Sequence, residues 1–268
     1  MTHDTLRGRT LFAFLLTVAA IGAVAAPARA DDDALKETVA KIDALTKDAQ
    51  THLNSGASDD LLQADIALAS KFASEMADPK LKLRCIDIIG TVMKGTTHDD
   101  VERTALKAFG TIGDPAAGRY VAPLIFQTAF DATPPLLGDA IECAAKIKSD
   151  DTVDRLIRIV EKSDVLPLAV AGMKALAQFG ESKRMRTKIL DSLVGTVEKD
   201  RPGRTGMNNP RGVTNLRSGE DSRNRYEALA GEMVTCCNKL TGRNVASPED
   251  WFALRKEHKA TLGDLFVS

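Results

Sequence analysis

The sequence predicts an all-α chain, a right-handed α-solenoid of stacked antiparallel helix pairs. Three observations carry that expectation. Apolar residues recur at steps of three and four along most of the chain, the spacing of one helix face. The central pattern returns every 35 residues, at Ala105, Ala140 and Ala175. No stretch alternates apolar and polar residues as a half-buried strand would. With 268 residues, 44 % of them hydrophobic and 27 % charged, the chain can bury a real core and is neither disordered nor collagen-like. Aromatic residues are only 4 %, which excludes a base-stacking platform for single-stranded nucleic acid.

Residues 1–30 have the layout of an export signal. Arg7 and Arg9 make a positive start, Leu11 to Ala26 is almost wholly apolar, and Ala28-Arg29-Ala30 after Pro27 is a small-x-small cleavage site. The apolar run falls short of the ~20 residues that a membrane-crossing helix needs, so cleavage after Ala30 is expected rather than a retained anchor. No Cys lies beside that site and Arg7-Gly8-Arg9 is not a twin-arginine pair, so ordinary secretion to the periplasm or outside the cell is expected. Removing Arg7, Arg9, Arg29 and Asp4 from 36 basic and 37 acidic residues leaves 33 and 36, a net charge of −3. A chain so near neutrality is no electrostatic magnet for nucleic acid. No second apolar run of membrane length follows, so no membrane span is expected once the signal is removed.

The elements can then be placed in order. Residues 34–53 put Leu35, Val39, Ile42, Leu45 and Ala49 on one stripe, and 59–77 do the same with Leu61, Leu62, Ile66, Leu68 and Phe72. Asp59 and Asp60 suit a helix start, where carboxylates accept free N–H groups, and Asp78-Pro79 marks a break. These two helices form an N-terminal cap pair over 31–78. Repeats then fill 79–242: 80–93 with 99–112, 115–130 with 135–148, 151–162 with 165–180, and 182–199 with 222–240. A capping helix over about 248–260 closes 243–268. Ser247, Pro248, Glu249 and Asp250 give it a near capping box, and Trp251, Phe252 and Leu254 are expected to plug the end of the core.

The repeat unit reads Ala105-Leu106-x-x-Phe109, Ala140-Ile141-x-x-Ala144, Ala175-Leu176-x-x-Phe179, with Ile112 on Ile147, and Leu124, Ile159 and Val194 in the same step. A small Ala beside a large aliphatic lets a neighbouring helix come close. One pair cannot cover its own apolar face, so pairs must stack. At these residues the chain resembles the HEAT-repeat (armadillo-like) family. Val101 to Pro115 looks like a HEAT second helix with its exit turn, and Thr152 to Val160 like the first helix of the next unit. The likeness covers about 80–199 and departs at Ala144-Ala145-Lys146, where the family has a large residue and a glycine. Leu240-Thr241-Gly242 followed by Trp251 is similar to the tail of some exported bacterial members. What the resemblance implies is a binding surface rather than one chemistry.

Adding the repeat length to Ala175 lands on Pro210, and the matching pair is read as Ala228-Leu229. About 18 extra residues therefore interrupt the last pair, in a loop at 200–221. It carries Gly203, Gly206, Gly212, Gly219, Pro202 and Pro210, and its cations Arg201, Arg204, Arg211 and Arg217 have no acidic residue among them. Arg grips carboxylate or phosphate through paired hydrogen bonds, so these four are candidate partner-binding residues; the competing reading is a solvated insertion. Arg103, Lys107, Glu142 and Lys174, with Asp139, Lys146 and Gln178, are expected to face outward from the second helices along the inner curve.

Chemistry of the usual kinds is missing. His52, His98 and His258 stand far apart with no Cys or His at ligand spacing. There is no phosphate-binding loop, dinucleotide fingerprint, Gly-x-Ser-x-Gly or haem-attachment motif. Asp139 and Glu142 read as surface charges rather than a catalytic pair. Cys85 and Cys143 lie in apolar helical runs and read as small buried hydrophobes, whereas the adjacent Cys236 and Cys237 leave a free pair or a bridge to a distant Cys open. No catalytic residue, metal or cofactor is implied. The expectation is a non-catalytic, exported scaffold that holds a protein or peptide on a concave face. Two alternatives stay open: a structural module of the cell envelope, or an enzyme similar to the HEAT-like bilin lyases.

Overall fold

The computed structural model describes residues 27–127, 136–182, 184–202 and 219–266. Among the described residues there are eleven α-helices and no strand. They are α1 Pro27–Ser55, α2 Asp59–Glu75, α3 Pro79–Gly95, α4 Asp99–Ile112, α5 Gly118–Gln127 and α6 Leu137–Ile147. Then come α7 Asp150–Lys162, α8 Leu166–Leu176, α9 Arg186–Lys199, α10 Gly219–Thr241 and α11 Pro248–Glu257. Short 3-10 turns stand at Pro115–Ala117, Ala177–Phe179 and Leu262–Leu265. No described helix is long and apolar enough to cross a membrane.

The chain divides into two compact units, residues 1–41 and 42–268. Of the first, the described part is the beginning of α1, whose exposed surface carries the ion pairs Asp33–Lys36 and Glu37–Lys41. In the second unit α2 packs on α3, and α3 packs on α4, α5 on α6, α7 on α8 and α9 on α10. Two rows of next-but-one neighbours run across these pairs. The even row is α2–α4–α6–α8–α10, and the odd row is α5–α7–α9–α11, with α3 touching the 3-10 turn that precedes α5.

The repeated residues lie where these rows meet. Ala105, Leu106 and Phe109 of α4, Ala140, Ile141 and Ala144 of α6, and Ala175, Leu176 and Phe179 at α8 are all buried. Ile159 and Val194 are buried in the odd row, with Leu124 half-buried. Two consecutive buried positions per turn mean that each helix is covered on two flanks, which a lone hairpin could not achieve. In α10 the register differs from expectation. Ala228 is exposed, and Leu229, Ala230 and Met233 take the buried places one residue further on. The insertion removes the period that would have placed the pair, and burial, not residue identity, sets it.

Three other expectations change. Along 59–77 the buried face is Leu62, Asp65, Ile66, Ala69 and Ala73, while Leu61 and Leu68 are exposed. Ala69 and Ala73, with Leu62 and Ile66, take the enclosed places instead of Leu61 and Leu68. On α1 the stripe is buried at Ile42, Leu45 and Ala49, whereas Leu35 is exposed. The single helix expected over 115–130 is a 3-10 turn followed by α5. Asp114 caps the turn, its carboxylate accepting the Ala116 N–H at 2.9 Å.

Helix ends follow local chemistry. The Asp78 carboxylate accepts the N–H of Lys80 at 2.7 Å ahead of Pro79, and Ser247 Oγ accepts that of Asp250 at 3.2 Å, with Pro248 opening α11. α4 ends on Gly113 at φ +64, and α6 ends at the equivalent repeat position on Lys148 at φ +50, the one non-glycine with positive φ among the described residues. Each donates its N–H to the carbonyl four residues back, Phe109 and Ala144 respectively. A different glycine serves close approach: a Cβ on Gly90 would fall 2.2 Å from the Tyr120 ring, a clash. That ring stacks on Phe109 at 5.8 Å, and its hydroxyl donates to Asp87 Oδ1 at 2.9 Å.

Two stability predictions arise. Truncating Leu106, Ile141 or Leu176 to Ala lowers unfolding free energy by about 2–5 kcal/mol each, measurable in urea melts; wild-type midpoints for all three would overturn the packing assigned to them. Lys148→Gly does the opposite, since a left-handed L-residue costs about 1–2 kcal/mol. The variant unfolds at higher urea than wild type, and an unchanged or lower midpoint would count against the strain.

Candidate functional site

The largest set of sequence-selected residues gathers on the even row. Arg103 of α4 is half-buried and reaches across to α6, donating from Nε to Asp139 Oδ2 at 3.0 Å, with a second bond to Asp100 at 2.8 Å. The hydrogen bond to Asp139 holds the guanidinium pKa above its ordinary value. Glu142 and Lys146 pair along α6 at 2.7 Å, one turn apart. Lys174 of α8 lies 3.5 Å from Glu232 of α10, and Lys239 of α10 donates to Gln178 Oε1 at 2.8 Å. Lys107 is exposed on α4 and forms no ion pair with any described residue. It lines a cleft of about 70 Å³ with Gly110, Asp139, Glu142, Cys143 and Lys146, which admits water or the tip of one side chain.

These contacts make a surface of mixed sign whose charges are largely satisfied between neighbouring helices. Four of the candidate residues, Arg103, Lys107, Glu142 and Lys174, therefore share one row of helices. Arg201 does not join them. It follows α9, sits 3.9 Å from Glu249 of α11, and lays its guanidinium over the Phe252 ring at 5.7 Å. Arg204, Arg211 and Arg217 lie outside the described residues.

A lock missed by sequence reasoning ties the two sides of the insertion. Asp200 ends α9 just before it, and Arg225 lies near the start of α10 just after it. Arg225 is only 2 % exposed; its Nε is 3.0 Å from Asp200 Oδ2, and its guanidinium donates to the Ser163 carbonyl at 2.5 Å and to that of Val160. Those carbonyls are at the end of α7, where a cation is favoured. Removing one partner of a buried pair costs about 3–5 kcal/mol. A signal existed: Arg225 is one turn before Leu229, on the apolar flank of α10.

The four cysteines are free and buried. Burial pushes the thiol pKa of Cys85 up to about 11, and those of Cys143 and Cys236 up to about 12; for Cys236 the carboxylate of Glu232 adds to the rise. Burial raises Cys237 as well. Protonated, enclosed thiols are poor nucleophiles. His52 is bonded through Nδ1 to the buried Asp65 at 2.7 Å, which ties the end of α1 to α2. Among the described residues no group of three or more His, Cys, Asp or Glu is placed to hold a metal ion.

No protein-family model, no curated protein and no solved structure matches the chain.

The thiols generate a prediction. At pH 8 the folded protein reacts with a colorimetric thiol reagent at far less than the rate of the denatured chain, which exposes all four. Raised native pKa values also mean that the stability from buried neutral thiols is present below about pH 9 and lost as pH climbs toward 11–12, where the unfolded chain ionises first. Fast labelling of two or more native thiols at pH 8 would overturn this.

Proposed function

We propose that the chain is a non-catalytic scaffold of the HEAT-like, right-handed solenoid type, exported with cleavage after Ala30, that holds a protein or peptide partner along the even row of helices. The observation that carries the reading is the continuity of that row. Four successive helices, α4, α6, α8 and α10, pack in sequence and present polar side chains beside one another, with cross-helix pairs bracing α4 to α6 and the α8 end to α10. A surface already braced in this way loses little side-chain freedom on binding. Its mixed signs favour a partner that is itself of mixed charge, rather than a polyanion. Lys107, outside any such pair, is the cation freest to meet a partner carboxylate. The protonated thiols and the missing catalytic motifs both support a binding role over a chemical one.

The test is site-specific photo-crosslinking in the producing cell. A photoreactive residue at Lys107 or Lys174 captures one common partner band, while the same residue at Asp151 on α7 does not. Charge reversal by K107E with K174E lowers capture from a photoreactive residue at Gln178 by roughly tenfold. Equal capture from α7 and from the even row, or indifference to both reversals, would discard the reading. Replacing Arg204 and Arg211 by Ala and repeating the capture at two salt concentrations decides separately whether the insertion takes part.

A further inference from the structure

The even row begins with α2, and one face of this helix is left without a neighbour among the described residues. α3 and α4 cover the side that carries Leu62, Ile66, Ala69 and Ala73. On the other side Asp60, Leu61, Ala64, Ala67, Leu68 and Lys71 are all exposed. At 100° per residue they fall within an arc of about 120°. Leu61 is 46 % and Leu68 41 % exposed, two of the five large hydrophobics left open among the described residues, and they stand one heptad apart on this one face.

The order of residues along the face favours one occupant. From its start to its end the face reads acid, Leu, Ala, Ala, Leu, base. Asp60 and Lys71 are about 16 Å apart along the axis, and neither forms an ion pair with any described residue. Such a face is complementary to itself when turned end for end. In an antiparallel pairing Leu61 comes opposite the partner subunit's Leu68, and the alanines at the centre let the axes approach to about 8 Å. Asp60 then meets the partner subunit's Lys71, and by symmetry the same contact forms twice. Parallel pairing would instead set like charges together.

We infer that α2 is the self-association face of this protein, and that its occupant is a second copy of the chain in an antiparallel, two-fold arrangement. One helix face is smaller than a standard interface of about 800 Å² per partner, so the dimer is weak, with a dissociation constant on the order of 10–100 μM. The inference does not depend on the partner-binding reading, which concerns α4 to α10.

Sedimentation of the full chain between about 5 and 500 μM tests it. The average mass rises from one chain toward two across that range. K71E sets like charges together and weakens association at least tenfold, and the exchange D60K/K71E restores it. L68E abolishes it, with an unchanged circular-dichroism spectrum showing that the exposed substitution leaves the fold intact. A wild-type chain that stays monomeric at the highest concentration overturns the proposal, whether the face is bare or is taken by another protein. So does a K71E chain that associates like wild type, or a double exchange that fails to recover.

Discussion

Every helix of the second unit has two apolar flanks, and no single neighbour covers both. That constraint organises the rest. Pairing with the next helix buries one flank, and stacking on the next but one buries the other, so the same short pattern must recur wherever a helix is enclosed. Ala105-Leu106, Ala140-Ile141 and Ala175-Leu176 show its chemistry. The alanine sets how near the adjoining backbone comes, and the larger residue fills what remains. Where closeness must be greater still, a side chain is given up altogether, as at Gly90 beneath the Tyr120 ring.

Polar groups are arranged by the same logic on the outside. Once helices are stacked, residues a repeat apart become neighbours, and Arg103 can meet Asp139 although 36 residues separate them. Lys174 and Glu232 do so across an even longer separation because the insertion lies between them. These exposed contacts add little stability individually. Their effect is to hold a row of side chains in place. The buried contact at Arg225 is of another kind: it donates to carbonyls at the end of α7 and lies against the half-buried Asp200 carboxylate at once.

Much of this was legible in the sequence, for reasons that are local or periodic. Asp78-Pro79, Gly113-Asp114-Pro115 and Ser247-Pro248 mark helix boundaries because caps and proline act on the nearest turn. The 35-residue step identifies buried positions because each repeat has the same neighbours. Legibility stops where neighbours differ. Leu61 and Leu62 are chemically alike, and only the placement of α3 and α4 makes one exposed and the other enclosed. Ala228 was assigned the wrong register because the insertion interrupts the step. Arg225 was overlooked because a cation on an apolar flank is read as a misfit until its acceptors, contributed by α7 and by Asp200, are known.

The Asp200–Arg225 lock has one more implication. Arg225 is fixed to the end of α7 and Asp200 is paired with Arg225, so the two ends that flank residues 203–218 are tied to each other. Between two ends held in this way, a foreign segment, an affinity handle or a reporter can be grafted while α9 and α10 keep their anchorage.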